Sequence, residues 1–158
     1  MGNRCNSEGY FDPTASDAIS RMIREERRPY KTFVGICSPF SGDTEGNIRR
    51  AREYCRFAVS QRYIPIAPHL YFPQFMDEGD PKQRSLGIFF GLLLQGRCRE
   101  IWVFGGRITE GMKIELEKAA VRDLAIRYFI EDGSRTGRLF REVDIEAFLL
   151  PEQEVGRK

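Results

Sequence analysis

The stretch Ile101-Trp102-Val103-Phe104, followed after a short loop by Glu110-Gly111-Met112-Lys113-Ile114-Glu115, decides the fold of this chain. The first part is an apolar run typical of a buried strand, and the second part begins a helix. Ligands of an open parallel sheet bind beyond the carboxyl ends of its strands. The sequence therefore predicts that Glu115, in the first turn of the helix, faces a crevice where Gly111 lets a ligand approach the backbone. The alternative is an ordinary first-turn glutamate, since a negative charge is favoured at a helix N-terminus.

Strand-like and helix-like patterns alternate on both sides of this stretch. Strands are predicted over residues 32–37, 63–66, 101–104 and 126–130, with helical patterns between them. This alternation predicts one doubly wound α/β domain, Rossmann-like or flavodoxin-like, with a mainly parallel sheet and helices on both faces.

The two ends of the chain lie outside that pattern. Residues 1–30 are predicted to be a helical appendage, because Ala18, Ile19, Met22 and Ile23 recur at helical spacing. Residues 31–150 then form the α/β domain, closed by a strand or a helix within residues 139–150. The polar residues 151–158 are predicted to be a flexible tail.

The composition narrows the class of partner. With 25 basic and 23 acidic residues the net charge is +2, which gives no general reason to expect a nucleic acid polymer or an anionic membrane. No apolar run reaches the length of a membrane span, and the N-terminus lacks the apolar core of a signal peptide. We therefore expect a cytoplasmic protein whose partner is a small molecule.

The cysteines are scattered at positions 5, 37, 55 and 98, and the chain has one histidine, His69. No close pair of thiols has the spacing of a zinc site or a redox motif. We expect free thiols, no metal site and no cofactor. A catalytic cysteine paired with His69 is conceivable, but no spacing supports it.

A second candidate site is the loop after the first predicted strand, Ser38-Pro39-Phe40-Ser41-Gly42-Asp43-Thr44-Glu45-Gly46-Asn47. Small residues, glycines and hydroxyls between a strand and a helix are typical of a phosphate or ribose cradle, because the backbone N–H groups can then point at the anion. The loop is neither a Walker loop nor a GxGxxG fingerprint. The alternative is a plain connection in which Asp43 or Thr44 caps the helix.

His69 follows the second predicted strand, in a loop over residues 67–69 where neighbouring loops converge. It could bond a ribose hydroxyl or a phosphate, or it could be structural. The aromatic residues Tyr71, Phe72 and Phe75 come next. They could stack on a base or simply cover the edge of the sheet.

Four segments together resemble the nucleoside 2-deoxyribosyltransferase-like superfamily. They are SPFSGD-x-x-x-N-x-x-x-A from Ser38, IPIAPHLYF from Ile64, the strand containing Trp102, and EGMKIELEKA from Glu110. The chain is most similar to a branch of mostly unknown function that is frequent in bacteria and their phages. The resemblance covers residues 33–129 and implies a doubly wound α/β fold. It also implies cleavage or exchange of an N-glycosidic bond by a glutamate nucleophile in a G-x-x-x-E element, which Glu115 matches.

The resemblance also implies which residues bind the substrate. The loop after the first strand matches the family's sugar- or phosphate-binding loop, and His69 lies where a nucleotide-cleaving branch also has a histidine. Thr109, six residues before Glu115, lies where transferases have an aspartate and hydrolytic relatives a serine. The predicted substrate-binding set is Ser38, Pro39, Phe40, Ser41, Gly42, Asn47, His69, Thr109, Gly111 and Met112.

One position departs from the family. Enzymatic members have an aspartate in the helix before the third strand, and the matching position here is near Gly91, with no carboxylate close. Departure of a base usually needs a general acid. The missing aspartate favours a non-catalytic protein, whereas Glu115 favours an enzyme.

Two functions toward a nucleoside or nucleotide are therefore open, and a third alternative, a purely structural oligomer module, would leave Glu115 and the loop from Ser38 to Gly42 unexplained. The first is a 2-deoxyribosyltransferase-like or N-glycosidase-like enzyme that uses Glu115, with Tyr71, Phe72 or Trp102 against the base. The second is a non-catalytic protein that senses or sequesters a nucleotide or an ADP-ribose-type signal. Relatives of this fold often complete a site across a dimer interface, and the apolar helix over residues 86–94 could form a homo-oligomer contact.

Overall fold

The computed structural model describes residues 13–26, 32–133 and 140–150. The chain divides into two compact units, one up to Lys31 and one from Thr32. In the first unit, helix α1 covers Pro13–Glu26, where the sequence predicts a helix. Cys5 and the predicted flexible tail, residues 151–158, lie outside the described residues. No helix in the described parts of the chain is long and apolar enough to cross a membrane.

The second unit is built on a five-stranded sheet. Its strands are β1 (Phe33–Cys37), β2 (Ile64–Ile66), β3 (Glu100–Val103), β4 (Ala125–Glu131) and β5 (Phe140–Val143). The spatial order is β2-β1-β3-β4-β5, and only β5 runs antiparallel to its neighbour. The predicted doubly wound, mainly parallel α/β sheet is therefore confirmed. Within residues 139–150, where the sequence predicts a strand or a helix, the structure has both: β5 is followed by the short helix α6 (Ile145–Leu149).

Polar caps fix where the connecting helices begin. These helices are α2 (Thr44–Ser60), α3 (Pro68–Tyr71), α4 (Pro81–Gln95) and α5 (Glu110–Val121). Side chains of Asp43, Asp80 and Thr109 accept backbone N–H groups at the starts of α2, α4 and α5. The sequence predicts a loop over residues 67–69, but only Ala67 precedes α3, and Pro68 and His69 belong to the helix. Pro68 is the first residue of α3, a position that its fixed φ angle favours.

Apolar residues cover both faces of the sheet. On the α2 face the core is largely aromatic, with Tyr54, Phe57, Trp102, Phe104, Phe129 and Phe140 buried together. On the other face, residues of α5 and α6 pack on β1, β3 and β4, with Cys37, Ile101, Val103, Met112, Ala119 and Phe148 buried. Right-handed crossovers place their helices on opposite faces when the chain moves in opposite directions along the sheet, as it does from β1 to β2 and from β3 to β4.

The strand order places a topological switch point beside β1. The chain runs from β1 outward to β2, and then crosses back to β3 on the other side of β1. Loops that leave β1 and β3 therefore separate to opposite faces of the sheet. The crevice between them, at the carboxyl ends of these two strands, is the usual ligand position in such folds.

Candidate active site

A small cavity lies on the α4 and α5 side of β1. It is lined by β1, β2, β3 and the helices α3, α4 and α5, through Gly35, Ile36, Cys37, Ile66, Pro68, Gly91, Gln95, Ile101 and Glu115. Its volume is about 10 Å³. That is close to the space that one water molecule needs. Most of the wall is apolar, and its polar side chains are those of Cys37, Gln95 and Glu115.

Glu115 is the carboxylate of this cavity, but it does not lie in the first turn of its helix. Helix α5 begins at Glu110, because the N–H of Met112 donates to Thr109 Oγ1 at 3.4 Å. Glu115 is thus in the second turn, and Glu110 is the first-turn glutamate. The prediction that Glu115 lies in the first turn was wrong. The alternative, that Glu115 is an ordinary first-turn glutamate favoured at a helix N-terminus, fails for the same reason.

The surroundings of Glu115 favour its neutral form. Burial raises the pKa of the Glu115 carboxyl to about 7, and a hydrogen bond from the Cys37 thiol lowers it only in part. At neutral pH the carboxyl is therefore close to half ionised. A carboxyl group poised in this way can serve as a nucleophile or a general acid.

Cys37 and His69 do not form a catalytic pair. Burial and the neighbouring Glu115 raise the pKa of the Cys37 thiol well above its usual value, so this thiol stays protonated. Its hydrogen-bond partner is Glu115, whereas His69 bonds Ser38. Within the described parts of the chain, Cys37, Cys55 and Cys98 are free thiols, and no cluster of potential metal ligands occurs.

Ser38 and His69 join the two predicted loops. Ser38 Oγ and His69 Nε2 lie 3.1 Å apart in a hydrogen bond, and the His69 ring centroid is 6.2 Å from that of Phe40. Burial lowers the pKa of His69 to about 4, so the imidazole is neutral near pH 7. A histidine with so low a pKa is a weak base for activating a serine. The pair is better suited to hydrogen bonding with a polar ligand.

The three predicted parts of the site lie close together. Ser38 follows Cys37, which bonds Glu115, and His69 follows Pro68, which lines the Glu115 cavity. The convergence of the first loop, His69 and Glu115 at the carboxyl ends of the strands is therefore present. Their roles toward a ligand stay predictions.

Asn47 holds the first loop in shape. The buried Asn47 amide donates from Nδ2 to the carbonyls of Phe40 at 2.9 Å and Ser41 at 3.1 Å. Its Oδ1 accepts from Arg50 at 2.8 Å. With its hydrogen bonds directed at protein atoms, Asn47 shapes the loop, while Ser41 and Gly42 are exposed.

Two glycines set the path of the loops around the site. Gly42 has a φ of +96°, a conformation that side chains rarely adopt. Gly105, with a φ of +98°, lies where a Cβ atom would come within 2.7 Å of Pro39 Cδ. The buried Pro39 thus packs against the loop after β3. The Asp43 carboxylate accepts from the N–H of Gly46 and caps α2, which is the role that the alternative interpretation of this loop predicted.

The predicted residues around the start of α5 separate into different roles. The Thr109 hydroxyl caps the helix, and the Met112 side chain is buried in the core with Cys37 and Ile101. Gly111 borders open space, since a Cβ atom built there would have no heavy atom within 4 Å. Thr109 and Gly111 can face a ligand at the crevice, whereas the Met112 side chain is used in packing.

The aromatic residues that the sequence offers as contacts to a base also differ in where they lie. Trp102 is 1% exposed within the core, and its indole N–H donates to Glu100 Oε2 at 2.8 Å. The prediction that Trp102 contacts a base is therefore wrong, because its side chain lies on the α2 face of the sheet. Tyr71 and Phe75 are instead largely exposed, and their rings contact each other.

The cavity contains one residue that the sequence argument missed. Gln95 is 6% exposed, and its Oε1 is buried with no hydrogen-bond partner among the described residues. Gln95 lies one helical turn after Gly91, and both line the cavity with Glu115. The available signal was this spacing, which puts a polar residue at the end of an apolar helix on the same face as Gly91.

Comparison with known proteins gives a family but no function. A family model described as a domain of unknown function (DUF7768) matches residues 32–129, which is more than half of the chain, and the chain belongs to that family. Comparison with curated proteins and with solved structures finds no match.

Proposed function

We propose that this member of the DUF7768 family cleaves or transfers the N-glycosidic bond of a nucleoside or nucleotide, with Glu115 as the nucleophile. The observation that carries the proposal is the Glu115 carboxyl in an apolar wall at the switch point, where the pKa is raised to about 7. A carboxylate in so dry a site strongly favours a neighbouring positive centre. The anomeric carbon of a sugar acquires that charge as its base departs. The resemblance of the G-x-x-x-E element to a family of glycosyl-transferring enzymes agrees with this role.

The proposed reaction has two steps. In the first, a Glu115 oxygen bonds the anomeric carbon, the carbon–nitrogen bond breaks, and its electron pair leaves with the base, which takes a proton from solvent. In the second, water or an acceptor base attacks the anomeric carbon and releases the carboxylate. In either case the acceptor's proton goes to solvent; the product is a free sugar with water and a new nucleoside or nucleotide with an acceptor base.

The neighbouring groups would position the sugar. Because the cavity has room for about one small group, most of the ligand would lie outside it, next to the bonded pair Ser38 and His69, which follow the cavity-lining Cys37 and Pro68 in the chain. The exposed Ser41 and Gly42 of the same loop, and the open first turn of α5 at Gly111, would offer it backbone and hydroxyl groups. Tyr71 or Phe75 supplies an aromatic surface for the base.

A second candidate function is non-catalytic binding of a nucleotide or of an ADP-ribose-type signal. One observation favours it. Glu115 is the one carboxylate among the residues that line the cavity, and Gly91 contributes no side chain where an acid could assist the departing base. Binding would then use the same crevice, and turnover would be lost.

The test is base release from a panel of ribonucleosides, deoxyribonucleosides and their 5′-monophosphates. The panel includes a pyridinium riboside, whose base departs without taking a proton. We expect free base from at least one compound, and loss of more than about 100-fold in rate in Glu115→Gln. Glu110→Gln is the matched control, since Glu110 is an exposed glutamate of the same helix with Lys113 as its ion-pair partner.

The outcomes separate the two functions. Release that depends on Glu115 and not on Glu110 supports the enzyme. A compound that raises the melting temperature without being cleaved supports the binding protein, because a ligand of the native state stabilises it. If no compound is cleaved or bound, both functions fail for the compounds tested.

A further inference from the structure

The amide of Gln95 is unusual for its position. Gln95 is the last residue of α4. Its side chain lies over Gly35, since a Cβ atom built on Gly35 would be 3.8 Å from Gln95 Cγ. Its Oε1 is buried without a partner among the described residues. An unpaired buried carbonyl oxygen weakens a fold, whereas an apolar side chain of equal length would pack there without that cost. A donor that is not among the described residues, such as a ligand group, would therefore stabilise this amide oxygen.

The cavity limits what that donor can be. At about 10 Å³ it admits one oxygen-sized group, but no base and no phosphate. The walls contributed by Ile66, Pro68 and Ile101 are apolar, so a proton that enters the cavity must be accepted by one of its polar side chains. Glu115 already accepts from the Cys37 thiol, whereas Gln95 Oε1 has no partner among the described residues. A single hydroxyl satisfies both conditions.

Glu115 shares this cavity with Gln95, and this suggests which hydroxyl it is. Under the proposed function, on which this step rests, the Glu115 carboxylate lies against the anomeric carbon. The sugar carbon next to the anomeric carbon carries the 2′-hydroxyl in ribose and only hydrogen in 2-deoxyribose. The ring oxygen is bonded to the anomeric carbon but has no proton, so the 2′-hydroxyl is the hydrogen-bond donor of the sugar nearest to the anomeric carbon.

We propose that Gln95 Oε1 accepts a hydrogen bond from the 2′-hydroxyl of the bound sugar, and that the site therefore selects ribonucleosides or ribonucleotides over their 2′-deoxy counterparts. Gln95 is then a specificity-determining residue that touches the substrate. A bound water molecule is the other source of a hydroxyl group, and it would make the site indifferent to the 2′ position.

The experiment compares the four ribonucleoside 5′-monophosphates with their four 2′-deoxy counterparts, by rate of base release and by melting temperature. We expect the ribose member of at least one pair to be preferred by about tenfold or more, because the deoxy compound leaves Gln95 Oε1 unpaired. In Gln95→Met, which keeps the length and removes the amide, the rate for the ribose compound should fall to that for its deoxy partner. Gln61→Met, an exposed glutamine at the end of α2, should keep the preference.

Equal rates or equal binding within every pair, or a preference that survives in Gln95→Met, would overturn the assignment of Gln95 while leaving the proposed function intact. Absence of both cleavage and binding for these eight compounds and for the nucleosides of the first panel would overturn both. These results are therefore distinguishable.

A measurement without ligand tests the premise. Gln95→Met should melt about 2 to 6 °C above the wild-type protein, because it removes a buried oxygen that has no partner. A lower melting temperature would mean that the amide is bonded in the free protein, and the proposal would fail.

Discussion

Replacing Glu115 by glutamine should make the protein more stable, by an amount that depends on pH. Glutamine keeps the shape of the side chain and can still accept a hydrogen bond from the Cys37 thiol, but it cannot ionise. Burial raises the pKa of Glu115 from 4.5 to about 7. At about 1.36 kcal/mol for each pH unit, this rise amounts to roughly 3 kcal/mol of free energy of unfolding.

The direction of this pH dependence follows from which state, folded or unfolded, binds the proton more tightly. Below pH 4.5 the carboxyl is protonated in both states, and its full contribution to stability is present. Between pH 4.5 and 7 the unfolded chain releases the proton while the folded protein keeps it, so wild-type stability falls as the pH rises. The glutamine variant does not lose this free energy. The variant should therefore gain relative to wild type, from little at pH 4.5 to roughly 3 kcal/mol at pH 8.

His69 acts in the opposite direction over nearly the same range. Its pKa is lowered from 6.5 to about 4, so wild-type stability rises with pH between those values. The two effects largely cancel in the wild-type protein. The difference between variant and wild type at each pH removes the histidine contribution, because both proteins contain it.

The assay is urea unfolding from pH 4.5 to 8, followed by the fluorescence of the single tryptophan, Trp102, which is buried in the core. Glu110→Gln is the control: it removes an exposed charge at the helix N-terminus and should cost no more than about 1 kcal/mol, without the gain in stability that Glu115→Gln shows as the pH rises. A stability difference for Glu115→Gln that does not change with pH would refute the reasoning. So would a variant less stable than wild type at pH 8, since the folded protein would then favour the ionised carboxyl.

Three further predictions concern the shape and the titration of the site. Asn47→Leu should lower the free energy of unfolding by about 2 to 3 kcal/mol and weaken nucleotide binding, because two loop carbonyls lose their donor; unchanged urea midpoint and binding would contradict this role. Gly35→Ala should cost about 1 to 3 kcal/mol in thermal unfolding, since its Cβ atom would lie 2.6 Å from Ile101 Cδ1, and an unaltered melting temperature would show that Ile101 moves freely. Base release should rise about tenfold per pH unit below pH 7 and level off above it if Glu115 is the nucleophile, whereas a fall above pH 7 would identify it as an acid.

The fold was predictable because its signals are local. Apolar runs of strand length alternate with helical spacing over residues 32–130, and this alternation admits few topologies. The convergence of the first loop, His69 and Glu115 followed from the topology alone, since parallel strands put their carboxyl ends at one edge.

The errors arose where side-chain direction decides the outcome. Glu115 was placed one turn too early: with Thr109 as the cap and Glu110 as the first helical residue, Glu115 is the sixth residue of α5, and one turn holds only about 3.6 residues. Trp102 looked like a base contact, but alternate residues of a strand point to opposite faces, and its face is the aromatic core. Gln95 was missed because the importance of a polar residue at a helix end depends on what lies opposite it in space.

The two edges of the sheet limit how this protein can associate with copies of itself. At one edge, β2 is three residues long and contains Pro65, which has no N–H to offer a new strand. At the other edge, β5 is four residues long and carries the charged Arg141 and Glu142. Both are devices that discourage edge-to-edge pairing. Among the described residues, a homo-oligomer contact would therefore use helix faces, and one exposed apolar face is the outer side of α4, where Leu86, Phe89 and Leu93 are about half exposed.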